Sequence, residues 1–452
     1  MPDQDTMRAV RPSLAMGQRV AILVAAFMGW FFGGMQILIT NLGMRAASLD
    51  LMGRSGMLDP AVYVDLNQRA GTLVGSELAQ LTAWNTMALQ WYAWFQCAFL
   101  FGAAAGGLLF GRLGDRMGRA RALGLSIVWF AGFTGLAWFA QSPHQLLMLR
   151  FLACLGIGGT WPNGVALVSE VWSDRARPAL SSAIGMAGNL GMFAMSSLAA
   201  AYAVTPASWR WVMLVNATPL LLGLVIWFFL PESPAWRDLA ARKVPTESQT
   251  PPSVFRRPYL GCTLIGILLA TIPLIGGWGS ANWMMPWADE VGSQTGQDQL
   301  KAHIGMARAL TSILGSLLAG ILAVWIGRRR LYFLASLGAL FAAQYSFWMT
   351  RPGDSGFLVG VAFLGVFNGL FFGWLPFFLP ELFPVKIRST GAGVSFNFGR
   401  ILTALTIFAT GALMGFFEND YARIGRLTSL IFLAGMVVIC YAPDTSKREM
   451  AK

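Results

Sequence analysis

The sequence has few charged residues: aspartate, glutamate, lysine and arginine make up 12% of its 452 residues, about half the share of a soluble domain. Hydrophobic residues make up 56%, above the soluble range of about 45–50%. Apolar runs of about 20 residues, the length that crosses a bilayer, recur along most of the chain. This composition excludes a soluble globular protein and predicts an all-α integral membrane protein without a separate soluble domain.

Cysteine is also scarce. The four cysteines lie inside apolar runs at unrelated spacings, which excludes a disulfide framework and a cysteine-bound metal. No nucleophile, metal cluster or carboxylate pair stands at one depth, so we predict neither an enzyme nor a bound cofactor. The net charge of +12 comes from basic residues that stand between apolar runs rather than on one face, and this pattern disfavours nucleic-acid binding.

The apolar runs predict twelve transmembrane helices. The first run is too long for a signal peptide and lacks a small-residue cleavage site, so we interpret it as a retained span. Most of the 33 lysines and arginines fall in alternate connections, and the positive-inside rule therefore places both termini in the cytoplasm. The predicted spans are 18–43, 87–110, 120–141, 146–170, 178–203, 209–230, 259–284, 302–326, 329–350, 356–380, 389–416 and 424–442.

Residue spacing indicates two pseudo-symmetric six-helix halves. Residues 1–230 form the first half, with an extracytoplasmic loop at 44–86, and residues 259–452 form the second. The polar, proline-rich stretch 231–258 is typical of a cytoplasmic linker. Two sets of residues recur at nearly equal spacings, which indicates a duplicated unit arranged as parallel repeats. Gly111, Gly118, Arg119, Glu170 and Arg177 correspond to Gly320, Gly327, Arg328, Glu381 and Arg388.

The segment 111–123, GRLGDRMGRARAL, places four arginines and one aspartate between two apolar runs. Its Gly, Asp, Arg and Gly-Arg pattern resembles the loop between helices 2 and 3 of the major facilitator superfamily. RFLACLGIGG (150–159), VSEVWSDRAR (168–177), PESPAW (231–236) and PELFPVKIRSTGAG (380–393) resemble its sugar-porter and carboxylate-type metabolite:proton symporter branches. The resemblance covers essentially the whole chain. It implies a rocker-switch transporter with a central substrate site, expected here as a monomer in a bacterial inner membrane.

Asp115 suggests a gating role for this loop. Its carboxylate is predicted to lie at the positive N-terminal end of helix 11, near Ser389 and Thr390, and to hold the cytoplasmic side closed. The alternative is a turn that only keeps two helices close at the membrane surface. Val324 stands where the second half would repeat the aspartate, so such a latch is one-sided. The residues assigned to gating are Gly111, Asp115, Arg116, Gly118, Arg119, Glu170, Arg177, Glu381 and Arg388.

No acidic residue lies in the middle of a predicted span, but three arginines lie within spans. Arg400 follows Arg388 by about 18 Å of helix, near the middle of a hydrocarbon core about 30 Å thick. Arg308 lies about two turns from the outer end of helix 8, whereas Arg150, about one turn into helix 4, is expected to snorkel. A buried guanidinium needs compensation, so we predict that Arg400 and Arg308 bind a carboxylate of the substrate. The alternative is that they bond only backbone carbonyls or neighbouring amides.

Polar and aromatic residues at similar depths complete the predicted cavity. Amides inside a membrane either join helices or line a cavity, and tryptophans on central turns are candidates for the same surface. The predicted substrate-binding set is Arg400, Arg308, Asn397, Asn189, Gln36, Trp161, Asn163, Gln96, Trp278, Asn282, Asn368 and Trp374.

The sequence departs from the resemblance at the positions that carry protons. The carboxylate-symporter branch has one acid in helix 1 and another in helix 4, whereas this chain has Gly33 and Gln36 in helix 1 and Thr160 in helix 4. These side chains do not titrate near neutral pH. We therefore predict an organic-anion exchanger, facilitator or weakly proton-coupled symporter. The alternatives are a facilitator of a sugar or another neutral metabolite, and a membrane nutrient sensor that does not transport.

Overall fold

A computed structural model of the protein describes residues 14–173, 176–241, 252–295, 297, 300–417 and 420–445. Within these ranges the backbone alone is described at residues 70, 278–279, 281–282, 286, 289, 293–294, 301–302 and 406–416. This part of the chain consists of helices and connections, without a β-strand. The α-helices are α1 (Met16–Arg54), α2 (Pro60–Gln68), α3 (Gly75–Met117), α4 (Arg119–Leu136), α5 (Pro143–Val171), α6 (Arg177–Ala201), α7 (Arg210–Ala217), α8 (Leu220–Phe229), α9 (Pro234–Ala241), α10 (Leu260–Pro273), α11 (Gly279–Thr295), α12 (Leu300–Ile326), α13 (Arg328–Met349), α14 (Ser355–Glu381), α15 (Arg388–Phe416), α16 (Tyr421–Ser429) and α17 (Ile431–Tyr441).

Eleven helical stretches of the described chain are long and apolar enough to cross a membrane. They coincide with eleven of the predicted spans, and the other predicted span, 389–416, coincides with the 29-residue helix α15. Three spans consist of two helices that follow each other closely, namely α7 with α8, α10 with α11, and α16 with α17. The all-helical fold is thus confirmed, and the count of twelve spans stays a prediction.

Prolines mark two of the interruptions within spans. Pro219 stands between α7 and α8 and has no backbone N–H to donate to the preceding turn. Pro273 ends α10, and the next five residues, Leu274–Trp278, form a π-helical turn before α11. Such turns frequently occur at functional sites. Leu274 of this turn lines the cavity described below.

Helices α1 and α3 are longer than a bilayer requires. At about 1.5 Å per residue, the 43 residues of α3 extend over roughly 65 Å, about twice the thickness of a hydrocarbon core. The segment 44–86, which the sequence predicts as a loop, therefore contains the end of α1, the short helix α2 and the start of α3. A small hydrophobic cluster of its own stabilises this segment, with Met52, Leu58, Tyr63, Leu66, Leu73, Leu81 and Ala88 buried in it.

The two halves pack against each other from the middle of the bundle to the end that carries residues 111–123, which we call the gate end. Glycines allow the close approach there. A Cβ atom at Gly107 would collide with the side chain of Asn397, and one at Gly185 would collide with the carbonyl of Phe372. Without a side chain, the helix backbones of the two halves can touch. Toward the other end a cavity separates the halves.

Two turns at the gate end have the same backbone conformation in the two halves. Gly118, between α3 and α4, has φ of 108°, and Gly327, between α12 and α13, has φ of 91°. Glycine adopts positive φ without the steric cost that other residues incur. The shared conformation at two corresponding positions agrees with the repeat predicted from the sequence.

Candidate functional site

A cavity of about 580 Å³ lies between the two halves. Its walls come from α1 and α6 of the first half and from α11, α12, α14 and α15 of the second. It extends from Arg400 toward the ends of α6 and α12 that are remote from the gate end, where Ala200 and Gly305 line it. Sites for small molecules commonly have volumes of about 300–1,000 Å³, so the cavity has room for a small metabolite.

Arg400 lines this cavity from α15 and is only 4% exposed. Its guanidinium carbon lies 5.0 Å from the ring centroid of Phe99 and 5.3 Å from that of Phe396. Its Nε and Nη1 are buried and have no hydrogen-bond partner among the described residues. The aromatic faces offset part of the cost of burying the cation, but the two N–H groups remain available to an acceptor in the cavity.

Arg308 lines the same cavity from α12. Its Nη2 donates to the carbonyl oxygen of Gly277 in the π-helical turn at 2.6 Å. Its Nε is buried and has no partner in the described part of the chain. No carboxylate of the described residues forms a salt bridge with Arg308 or Arg400. The cavity therefore carries two cations that no carboxylate of the described residues neutralises.

Aromatic side chains form the wall beside Arg400. Phe396 stacks on Trp161, with ring centroids 4.1 Å apart, and meets Trp30 edge to face at 6.2 Å. Trp30 and Phe396 line the cavity, whereas Trp161 is buried behind Phe396. A mostly apolar wall with two cations is suited to an anion that has an apolar body.

Two predicted amides also line the cavity. The members of the predicted binding set that do so are Arg400, Arg308, Asn189 and Asn368. Asn189 donates to the hydroxyls of Ser312 and Ser316, both at 3.3 Å, and so joins α6 to α12 across the two halves. The Oδ1 atom of Asn368 is buried without a partner among the described residues.

Two other predicted amides join helices instead. Asn397 donates to the carbonyl of Gly158 at 3.1 Å, which connects α15 to α5. Asn163 donates to the carbonyl of Phe110 at 3.0 Å, which connects α5 to α3. Both side chains are buried outside the cavity lining, which corrects their predicted placement. The reason is that closely packed glycine-rich helices bring a carbonyl group within reach of each amide.

Gln36 belongs to a polar cluster inside the first half rather than to the cavity. It donates to the carbonyl of Asn216 at 3.0 Å and accepts from the hydroxyl of Thr134 at 3.1 Å. Arg150 joins this cluster by donating to the hydroxyl of Thr40 at 3.1 Å. Arg150 is fully buried, so the expectation that it snorkels is wrong. Side-chain oxygens on α1 hold its guanidinium inside the half.

Gln96 reaches the cavity only through Asn41. The Nε2 atom of Gln96 donates to Oδ1 of Asn41 at 2.9 Å, and the hydroxyl of Tyr92 donates to the same oxygen at 3.3 Å. Asn41 itself lines the cavity. Sequence reasoning does not single out Asn41, because nothing in its local sequence separates it from amides that join helices.

The predicted tryptophans do not line the cavity in the described part of the structure. Trp161 lies behind Phe396, as above. Trp374 donates from Nε1 to the carbonyl of Arg328 at 2.9 Å and stacks on Phe378 at 4.1 Å, so it belongs to the core of the second half. The side chains of Trp278 and Asn282 lie outside the described residues.

At the gate end, Asp115 lies where the sequence analysis expects it. Its carboxylate accepts hydrogen bonds from the backbone N–H of Ser389 at 3.1 Å and of Thr390 at 2.9 Å, and from the Thr390 hydroxyl at 2.6 Å. Free N–H groups and the helix dipole favour a negative charge at this position. Gly111 makes room for the contact, because a Cβ atom there would meet the backbone of Ser389 and Thr390. A residue of the first half thus caps a helix of the second.

Glu170 connects the two halves at the same end. Its carboxylate accepts from Nε of Arg119, in its own half, at 3.3 Å and from Nη1 of Arg388, in the other half, at 3.1 Å. Arg119 also donates to the carbonyl of Val385 in the second half. These three side chains are almost completely buried, and Asp115, 3.4 Å from Arg119, supplies the second negative charge that compensates the two guanidinium groups.

Glu381 forms the corresponding pair within the second half. It accepts from Nη2 of Arg328 at 3.1 Å and from the hydroxyl of Thr445 at 2.5 Å. Of the other predicted gating residues, Arg177 donates to carbonyl groups at the end of α5, and the side chain of Arg116 is exposed. At the gate end, four of the predicted gating residues, Asp115, Arg119, Glu170 and Arg388, thus form one chain of buried ion pairs, and Glu381 pairs with Arg328.

Glu232 is a gate-end residue that sequence reasoning does not single out, although it belongs to the PESPAW segment. Its carboxylate accepts from the backbone N–H of Arg119 at 2.9 Å and of Ala120 at 3.0 Å, which caps α4. Burial raises the pKa of Glu232, whereas these hydrogen bonds act to lower it. Gly118 is required here because a Cβ atom would collide with the carboxylate. The start of the predicted linker is thereby attached to the turn at 111–123.

The apolar helices and the cavity between two halves define a multi-pass membrane transporter. The sequence profile of the Major Facilitator Superfamily matches residues 20–407. The chain is 31% identical, over 69% of its length, to the "probable 4-methylmuconolactone transporter" of Cupriavidus pinatubonensis, of which it covers 72%. It is 27% identical, over 70% of its length, to the cis,cis-muconate transport protein of Acinetobacter baylyi, of which it covers 76%. The structure of the proton:xylose symporter XylE matches 96% of this chain and 98% of its own, with a TM-score of 0.67 and 17% identity.

The protein belongs to the Major Facilitator Superfamily, since the profile covers most of the chain. The similarity to XylE is at the level of the fold. The family and the relatives are transporters rather than enzymes, in agreement with the sequence analysis.

Proposed function

We propose that the protein is a secondary transporter that moves a small organic anion, a carboxylate, across the bacterial inner membrane by rocker-switch alternating access. The observation that carries this proposal is Arg400, whose Nε and Nη1 face no acceptor among the described residues while its guanidinium lines the cavity. A carboxylate accepts a charge-assisted hydrogen bond from such a donor and neutralises the cation, which a neutral solute does not do. The names and bacterial sources of the muconate and methylmuconolactone relatives support the same solute class and membrane.

The proposed topology has twelve spans. They are the eleven long apolar stretches described above and helix α15. Two halves, 1–230 and 259–452, are then joined by the linker 231–258, and both termini lie in the cytoplasm. The distribution of lysine and arginine supports this orientation. In this topology the gate end faces the cytoplasm, and the segment 44–86 lies on the opposite side.

The described conformation then corresponds to an outward-facing state. Contacts of Asp115 and Glu170 across the halves close the cytoplasmic side, while the cavity extends toward the other side. In the inward-facing state these contacts separate and the cavity opens to the cytoplasm. The predicted gating residues act as a latch on this transition.

The charge of the substrate is proposed to replace the titratable acid that symporters use. Gln36 and Thr160, which do not titrate near neutral pH, occupy the positions where the carboxylate-type branch has acids. A bound carboxylate neutralises Arg400 and lowers the cost of enclosing that cation during the transition. We therefore expect exchange or facilitated movement of anions without a required proton.

Reconstituted proteoliposomes test this proposal with labelled cis,cis-muconate. Replacing Arg400→Gln should lower uptake at low substrate concentration about 100-fold, because a buried, hydrogen-bonded charge pair is lost. Arg400→Lys should lose about tenfold, since it keeps the charge but not the two-pronged geometry. Arg351→Gln, at an exposed arginine, is the matched control and should transport like the unaltered protein. Unchanged uptake in Arg400→Gln, or transport of neutral sugars alone, would overturn the anion assignment.

A further inference from the structure

The two cavity arginines lie at different depths of the bundle. Arg400 is about 18 Å of helix from Arg388, where α15 begins at the gate end. Arg308 is about 27 Å of helix from Ile326, where α12 ends at the gate end. Their backbones are therefore separated by roughly 9 Å along the bundle, within one cavity that both side chains line.

One guanidinium donor of Arg308 is hydrogen-bonded to the protein, and another has no described partner. The carbonyl of Gly277 accepts from its Nη2, which attaches the guanidinium to the π-helical turn. Its buried Nε has no partner in the described part of the chain. A carbonyl dipole reduces the cost of burying this cation but does not neutralise its charge. Arg308 therefore resembles Arg400 in having a positive charge and a donor group to offer.

A substrate with a single carboxylate would compensate only one of these cations. Alternating access encloses the cavity and removes water from both guanidinium groups, and an unpaired buried ion costs several kcal/mol in proteins. With a monoanion on Arg400, that cost would remain at Arg308. A dianion with carboxylates at both ends compensates both cations in the enclosed state.

The cavity wall suits a short carbon backbone between two carboxylates. Trp30, Phe372, Met192 and Met285 contribute apolar surface to it. In an extended molecule with about four carbons between its carboxyl groups, the carboxyl carbons lie roughly 6 Å apart, from bond lengths of about 1.5 Å. Flexible arginine side chains can cover the remaining separation along the bundle.

We propose that the transporter selects dicarboxylates over monocarboxylates, with Arg400 binding one carboxylate and Arg308 the other. This inference rests on the proposed function and adds to it, because a carrier that used Arg400 alone would accept both kinds of anion equally.

The test compares adipate with its monomethyl ester, two probes of nearly the same length that differ in one negative charge. Calorimetric titration of the purified full-length protein should give adipate an affinity at least about tenfold higher, as expected for one additional charge-assisted interaction. Arg308→Gln should lower the affinity for adipate to that for the ester and leave the affinity for the ester within about threefold. Arg308→Lys, which keeps the charge, should retain part of the preference.

Two results would overturn the dicarboxylate inference while leaving the anion proposal intact. One is equal binding of adipate and the ester by the unaltered protein, a comparison that requires no variant to fold. The other is an equal loss for both probes in Arg308→Gln, which would assign Arg308 a general structural role. If adipate, the ester and cis,cis-muconate all fail to bind, the carboxylate transporter itself is the wrong assignment.

Discussion

The gate end and the central cavity of this transporter differ in how their charges are compensated. At the gate end, Asp115, Glu170 and Glu381 each accept hydrogen bonds at 3.3 Å or less from groups of the protein. In the cavity, Arg308 and Arg400 form no salt bridge with a described carboxylate. Charges that are satisfied within the protein can hold a conformation, whereas charges left unsatisfied are suited to a ligand.

The gate end is itself asymmetric between the halves. Asp115 of the first half caps α15 of the second, whereas Val324, at the corresponding position of α12, is 52% exposed. The turns around these positions keep the same glycine conformation. The two corresponding turns therefore share a backbone conformation, but the position of Asp115 holds a carboxylate only in the first of them.

Of the changes at the gate end, Asp115→Asn is expected to have the largest effect on the ratio of inward-facing to outward-facing protein. The change removes the charge at the start of α15 and replaces one acceptor by an NH₂ group that faces N–H donors. We expect the ratio of inward-facing to outward-facing protein to rise about tenfold or more, as the loss of charge-assisted hydrogen bonds predicts. The measurement is the rate at which an impermeant thiol reagent labels Ser197→Cys, in the cavity, with the exposed Cys440 replaced by serine.

Val324→Asn is the matched control for this experiment. It places the same amide at the corresponding position of the second half, where the exposed side chain has no latch to break. Labelling should fall in Asp115→Asn and stay unchanged in Val324→Asn. Equal labelling in both variants would mean that Asp115 only shapes a turn.

A smaller effect is expected from neutralising the two glutamates at the gate end. Glu170 bonds an arginine in each half, whereas the described contacts of Glu381 with Arg328 and Thr445 stay within the second half. In the same labelling assay, Glu170→Gln should shift the conformational ratio about threefold to tenfold and Glu381→Gln less than about twofold. A larger shift for Glu381→Gln would show that contacts within one half control the transition.

The smallest effect concerns the amides. Asn397 bonds Gly158 between helices, whereas Asn368 lines the cavity. Asn397→Ala should lower the midpoint of thermal unfolding by a few degrees, as the loss of about 1 kcal/mol predicts, and change carboxylate affinity less than about threefold. Asn368→Ala should have the opposite profile. If Asn397→Ala weakens binding more than Asn368→Ala does, the cavity wall is assigned to the wrong residues.

The segment 44–86 shows one limit of reading the sequence for apolar runs. The sequence predicts a loop there because apolar runs end where a helix leaves the membrane. In the structure the backbone stays helical beyond that point, and Tyr63, Leu66 and Leu81 pack into a small separate cluster. A helix needs only satisfied backbone hydrogen bonds and one buried face outside the membrane, so hydropathy underestimates its length.

The amides show another limit. Counted from the gate end of their helices, Asn163, Asn189 and Asn397 lie about 12, 18 and 14 Å deep, and of the three only Asn189 lines the cavity. Depth follows from the count of residues along a helix, at about 1.5 Å each, and can be estimated from sequence. The face that a residue presents depends on how its helix is rotated against its neighbours, which many contacts distant in sequence decide together.

The sequence by itself determined the class of this protein, its helical fold and the contact of Asp115 with the start of α15, and it predicts the duplicated halves and the depth of Arg400. These features depend on composition, on repeat spacing and on positions at helix ends, all of which are local or linear along the chain. Only the tertiary structure decided that Arg308 and Arg400 line one cavity without described carboxylate partners, and that Gln36, Asn163 and Asn397 are bonded elsewhere. Whether a buried polar group is satisfied depends on which residues from other helices come within about 3 Å, and packing alone determines that.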